Sequence, residues 1–210
     1  MIVLFGGQKG GTGKSTLATN AAVWLALKGR SVLLVDGNVK QGTSSNWADR
    51  RESNELQGVS CIEKSGSLHK TLLDLSKKFD EVIVDTGGQD SKEFRTSLTA
   101  ADVLVSPMSI SQSDVETVIY LDGLIDEARD FNPELDARII LTKVKHHHKS
   151  SKVPANKSLI TENTSLKVME TLIGDREIYI DALPGGHGVM ELNDKKAKSE
   201  IESLVAEIYK

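Results

Sequence analysis

The chain has 210 residues, 39% of them hydrophobic and 27% charged, with a formal net charge of -4. Such a chain builds one soluble domain over residues 1–210 with ample core, and its single cysteine, Cys61, excludes an internal disulfide and fits a reducing compartment. No run approaches the ~18 apolar residues of a membrane helix, the first residues read as a core strand rather than a signal peptide, and the mild charge gives no support for nucleic-acid binding over the whole surface, though it leaves room for a local basic patch.

In chain order, strand-like apolar runs fall at 2–5, 31–36, 59–62, 81–85, 102–107, 137–142 and 177–180. Helical patterns fall between them near 14–28, 44–52, 67–78, 91–100, 113–130, 158–173 and 193–209, and Gly29 supplies a stop after the first. Alternation of this kind predicts an α/β fold, a mostly parallel β-sheet with helices on both faces in a three-layer α/β/α sandwich. There is no internal repeat and no linker. The segment 143–157 is polar and basic, contains His146, His147 and His148, and reads as an exposed loop. Trp24, Leu25 and Leu27 read as core, Cys61 as a buried strand residue without a redox role, and Trp47 as packing beside the glycine loop or a dimer contact.

The first strand runs into Gln8, Lys9, Gly10, Gly11, Thr12, Gly13, Lys14, Ser15 and Thr16. An apolar strand, a glycine turn and a Lys-Ser-Thr opening a helix form the layout that cradles a nucleoside triphosphate. Backbone N–H groups of the loop face the phosphates, and the helix adds its positive end. The strict spacing of that motif fails, because position 8 is glutamine, and a second lysine, Lys9, heads the loop instead. Two later strands end in carboxylates, Asp36 and Asp85, which a parallel sheet brings to the crevice that holds the loop. Alone, each is no more than a polar residue closing a strand. Together with the loop they read as a Mg2+ site, with Ser15 adding a hydroxyl ligand. Asp85 to Gly88 also fits D-x-x-G, in which the Gly88 N–H meets a terminal phosphate.

With these residues the chain resembles the ParA/MinD family of deviant Walker-box ATPases, P-loop NTPases with a deviant Walker A motif, and most nearly the short ParA-type partition proteins. The resemblance runs along nearly the whole length: 9–16 (KGGTGKST), 35–36 (VD), 84–88 (VDTGG), 101–107 (ADVLVSP) and, more weakly, 175–182 (DREIYIDA). It implies ATP and Mg2+ as cofactors, bound by Gly10, Gly11, Thr12, Gly13, Lys14, Ser15, Thr16 and Gly88. The turn at Asp175 is implied to lie against the adenine. It further implies an ATP-dependent homodimer in which Lys9 reaches the partner's phosphates while Lys14 contacts its own. That dimer binds nonspecific DNA until a small centromere-binding or adaptor protein stimulates hydrolysis. The implied setting is the cytoplasm, on the nucleoid when ATP is bound, with no membrane partner.

One departure stands out. Where the family has a second aspartate that handles the attacking water, this chain has Asn38. An amide holds water by hydrogen bonds but does not take its proton at neutral pH. Lys9, Lys14, Asp36 and Asn38 are thus the candidate catalytic residues, with turnover expected to be weak in the chain alone and to rise in Asn38→Asp. Hydrolysis is slow and partner-stimulated, or another group positions the water, or the chain is a hydrolysis-blocked ATP trap. DNA phosphates would meet Lys143, Lys145, Lys149, Lys152 and Lys157, and Lys195, Lys196 and Lys198; the alternative for each cluster is a solvated surface. Three consecutive histidines suit a tetrahedral metal site poorly. A membrane-cycling relative is the second reading, set back by Glu200, Glu202 and Glu207 in the last helix, which anionic lipid repels; a nucleotide-gated scaffold is the third.

Overall fold

Strands apolar on both faces form the centre of the molecule. Every residue of β1 (Ile2–Phe5), β2 (Val32–Asp36), β4 (Glu81–Asp85) and β5 (Val103–Ser109) is buried, as parallel strands covered on both sides require. The computed structural model of the chain describes residues 1–88, 90–110, 115–149 and 151–210. Within these, β3 (Ser60–Glu63), β6 (Asp136–Val144) and β7 (Lys167–Gly174) complete a parallel sheet in the order β3-β2-β4-β1-β5-β6-β7.

Two cores lie on the two faces. On one, α3 (His69–Leu75), α4 (Lys92–Leu98), α5 (Val115–Arg129) and α6 (Lys152–Asn163) pack Leu72, Phe94, Val118 and Ile160 onto Leu4, Leu33, Val84 and Leu104. On the other, α1 (Lys14–Leu27), α2 (Thr43–Ser53), α7 (Ile178–Ala182) and α8 (Lys195–Ile208) cover Val3, Phe5, Leu34, Ile83 and Val105. α8 shows why a sequence of this kind becomes a helix. Asp194 accepts the Lys196 and Ala197 N–H groups at its start, and Ala197, Ile201, Leu204, Val205 and Ile208 fall on one buried stripe. Each large apolar side chain so buried contributes about 1.5–3 kcal/mol. The three-layer α/β/α architecture expected from the alternation is the one observed.

Three local expectations are corrected. The helix expected at 158–173 is α6 followed by β7. Lys, Met, Glu and Leu favour helix intrinsically, but pairing of Lys167, Val168 and Leu172 with β6 overrides that preference, burying Met169 and leaving Glu170 exposed at the sheet edge. The strand expected at 177–180 is α7, because Tyr179 and Ala182 are buried together one helical turn apart. The exposed loop expected at 143–157 contains the end of β6, a 3-10 turn at His146–His148, and the start of α6, which buries Val153. The first two residues of the helix expected at 113–130 lie outside the described residues; α5 begins at Val115.

Smaller differences follow the same logic. Leu25 is core, Trp24 is half-buried under the Lys28 ammonium at 5.3 Å, and Leu27 is 45% exposed. Trp47 is fully buried and donates its Nε1–H to the His187 carbonyl at 3.1 Å, so it is packing. Cys61 sits half-exposed on the edge strand β3.

Candidate functional site

The turn after β1 forms the floor of the site. Gly13, at φ 103°, occupies a backbone region that strains any residue bearing a Cβ, and it sets the direction in which α1 departs. The N–H groups at the start of α1 therefore face the turn, with no acidic residue in the first helical turn to compete for them. Thr142, at the end of β6, donates its hydroxyl to the Thr12 carbonyl at 2.9 Å and so holds the turn from the other side of β1. Lys14 bends back so that Nζ donates to the Lys9 carbonyl at 2.7 Å. Burial lowers the Lys14 pKa, and Asp85 partly opposes that shift.

Asp36 and Asp85 are register partners at the ends of adjacent strands β2 and β4. Their environments differ. Asp36 accepts three backbone N–H groups: Asn38 at 2.9 Å on Oδ1, and Ser44 and Ser45, both at 3.0 Å, on Oδ2. It thereby seats the N-terminus of α2, whose own cap residue is Gly42. Asp85 accepts the Ser44 hydroxyl at 2.7 Å on Oδ2 and is in hydrogen-bond contact with Ser15, while its Oδ1 is buried without a partner. Burial pushes the Asp85 pKa up to about 6, the two hydroxyls pull it down, and the Asp36 charge adds to the rise. A buried carboxylate oxygen left without a donor, next to a serine hydroxyl, suits a hard dication that takes oxygen ligands. The donor set fits magnesium.

Gly88 closes the phosphate end. A Cβ built there would lie 2.6 Å from the Gly10 nitrogen and 2.8 Å from its Cα, so only glycine lets the loop after β4 lie against the turn after β1. Asn38 packs on the neighbouring Gly87 and donates Nδ2–H to Gln41 Oε1 at 2.6 Å. Together these loops bound a cleft of about 780 Å³, large enough for a mononucleotide. Because β1 is central, the loops after β2 and β4 form one end of the cleft and those after β6 and β7 the other. At the second end, Arg176 and the buried Tyr179 are both held by Glu200, at 2.6 and 2.9 Å, and Asp175 faces Lys145 at 3.5 Å.

Gly10, Gly11, Thr12, Gly13, Lys14, Ser15, Thr16, Asn38, Gly88 and Asp175 line this one cleft, and Asp36 and Asp85 stand behind it, bonded to its lining residues Asn38 and Ser15 respectively. Lys9 heads the turn half-buried, its carbonyl engaged by Lys14. The basic residues are not gathered in one place. Lys143 lines the cleft, Lys157 pairs with Glu170 at 2.7 Å, and Lys195, Lys196 and Lys198 belong to the sheet face opposite α6. His148 is buried and accepts the Lys145 N–H, and no metal-binding group of three His, Cys, Asp or Glu occurs among the described residues. Sequence reasoning missed Ser44, Gln41, Thr142 and Arg176. Two of these carried a signal: Thr142 nears the end of a strand as Asp36 and Asp85 end theirs, and Arg176 lies in the segment 175–182 of the family resemblance.

Residues 3–184 match the family model described as the CobQ/CobB/MinD/ParA nucleotide binding domain. The chain is similar to the maintenance of carboxysome distribution protein A of Halothiobacillus neapolitanus, 27% identical over 95% of this chain and 92% of that one. It is also similar to protein ParA of Rhizobium radiobacter, 24% identical over 93% and 87%. An ATP complex of Cyanothece McdA has the same fold, with a TM-score of 0.75 at 15% identity over 99% of this chain and 96% of that one.

Proposed function

The chain belongs to the CobQ/CobB/MinD/ParA nucleotide-binding family of ATPases, and from that premise we propose that it is a ParA-type ATPase that positions a plasmid or another cargo. The observation that carries this reading is the cleft itself, in which a glycine turn bearing two lysines meets Gly88, backed by two buried strand-end carboxylates. ATP is held by the backbone of residues 10–16, with Lys14 leaving the Lys9 carbonyl for the β- and γ-phosphates. The adenine lies toward Asp175 and Tyr179. Ser15 and Asp85 would hold magnesium, which would supply positive charge to the phosphate oxygens. Asp36 would add its charge to that site from the adjacent strand, and it fixes Asn38 and α2.

Two such sites face each other in the ATP-bound homodimer, and each Lys9 adds a cation to the polyphosphate of its partner, offsetting the repulsion between two tetra-anions. The dimer binds nonspecific DNA through its surface lysines, on the nucleoid, until a small adaptor or centromere-binding protein triggers hydrolysis. A membrane-cycling reading is the weaker one: the apolar stripe of α8 is buried against β7 and α1 and offers nothing to lipid. Light scattering with and without ATP–magnesium tests the cycle. The wild-type mass doubles with ATP and that of Lys9→Ala does not; one monomer mass under every condition overturns the proposal.

A further inference from the structure

We infer that Asn38 and Gln41 act as a pair to position the attacking water, in place of the missing carboxylate; the inference rests on the ATPase reading above. A water poised for attack needs one acceptor and one donor to fix its direction. The bond from Asn38 Nδ2 to Gln41 Oε1, at 2.6 Å, uses one N–H and one C=O. Whichever way each amide is turned, a clasp between two amides leaves the pair one carbonyl oxygen and one –NH2 group. A single water donates to the first and accepts from the second.

The pair stands on a hydrogen-bonded turn. Gln41 N and Gly42 N both donate to the Asn38 carbonyl at 2.9 Å. Asn38 N is tied to Asp36, whose other oxygen seats α2. The turn also lies where terminal phosphates belong. Both side chains line the cleft, and a Cβ on Gly87 would come within 3.3 Å of Asn38 Cγ, one residue before the Gly88 that meets Gly10. Carboxylates nearby have other partners: Glu93 Oε1 accepts the Gly66 N–H at 2.6 Å, Asp36 takes three backbone N–H groups, and Asp85 takes Ser44 and keeps its other oxygen for the proposed magnesium.

The step balances without a protein base. The water oxygen bonds to the γ-phosphorus, and the bond to the β–γ bridging oxygen breaks with its electron pair leaving on ADP. The water proton passes to an oxygen of the released phosphate, because neither amide accepts it.

The test combines single-turnover hydrolysis of ATP–magnesium by excess full-length chain with titration of a fluorescent ATP analogue. Gln41→Ala lowers the hydrolysis rate about 10- to 100-fold, the loss expected when a reacting group is misplaced by an ångström, and leaves nucleotide affinity within about twofold. In the Asn38→Asp background, where a carboxylate holds the water, the same substitution costs less than about threefold, a coupling that a structural role would not produce. Equal losses in both backgrounds, an unchanged rate in Gln41→Ala, or no wild-type hydrolysis above the buffer rate despite bound nucleotide overturns the pair. Failure of the wild-type chain to bind the analogue overturns the ATPase reading itself, and the pair with it.

Discussion

Gly88 and Gly10 show how one atom decides the shape of the site. A methyl group at 88 must enter the Gly10 backbone at 2.6 Å, whereas a methyl group at 10 meets nothing within 4 Å. Gly88→Ala is therefore expected to cost about 1–3 kcal/mol in denaturant titration, the range for forced overpacking, while Gly10→Ala costs little. Cys61 makes a second case. Burial, and then the surrounding carboxylates led by Asp36, push its thiol up to about 12. At pH 8 the folded chain therefore holds the unreactive thiol, and only above about pH 11 does the thiolate grow. Iodoacetamide should alkylate it at pH 8 roughly 100-fold more slowly in the folded than in the unfolded chain. Individual residues of the glycine turn and the two aspartates were legible in the sequence because their chemistry depends on short-range spacing. Ser44 was not, because its meaning comes from Asp85, its bonding partner across the sheet.

Among the elements, α2 is anchored at both ends. Its start rests on Asp36 and Asp85, and near its end Arg51, 1% exposed, forms a two-pronged pair with Glu191 at 2.7 and 2.8 Å and also donates to the Gly186 and Gln57 carbonyls. Removing a buried partner leaves its counter-charge uncompensated, so Arg51→Ala should lower unfolding free energy by about 3–5 kcal/mol in urea. Arg51→Lys should recover little, because an ammonium cannot reproduce the planar fork. The same scale holds the misread segments. The central strands were recognisable because burial on both faces makes them continuously apolar. β7 was hidden because an edge strand keeps one face polar, and its Lys, Met and Glu mimic a helix.

At the scale of the molecule, Lys152 and Lys157 of α6 and Lys195, Lys196 and Lys198 of α8 lie on opposite layers of the sandwich, so the proposed DNA surface, if made of both, depends on how two copies assemble. Lys149 and Lys152 are exposed, whereas Lys157 is tied to Glu170. In the proposed ATP-bound dimer, replacing Lys149 and Lys152 by alanine removes four lysines, two from each copy, and should weaken DNA binding and flatten the plot of log affinity against log salt by up to about 4, roughly one for each phosphate no longer neutralised. Lys157→Ala should leave the slope nearly unchanged. Filter binding across a salt series measures both.

Sequence alone determined the alternating α/β plan and the phosphate turn, since hydrophobic period, glycine placement and strand-end polarity are written within a few residues of one another. Tertiary structure decided which segments became β7 and α7, that Ser44 and Asp36 join the sheet to α2, and that Asn38 meets Gln41 over Gly87. Those outcomes depend on partners brought together by the packed sheet, and local propensity carries no information about a neighbour that only folding supplies.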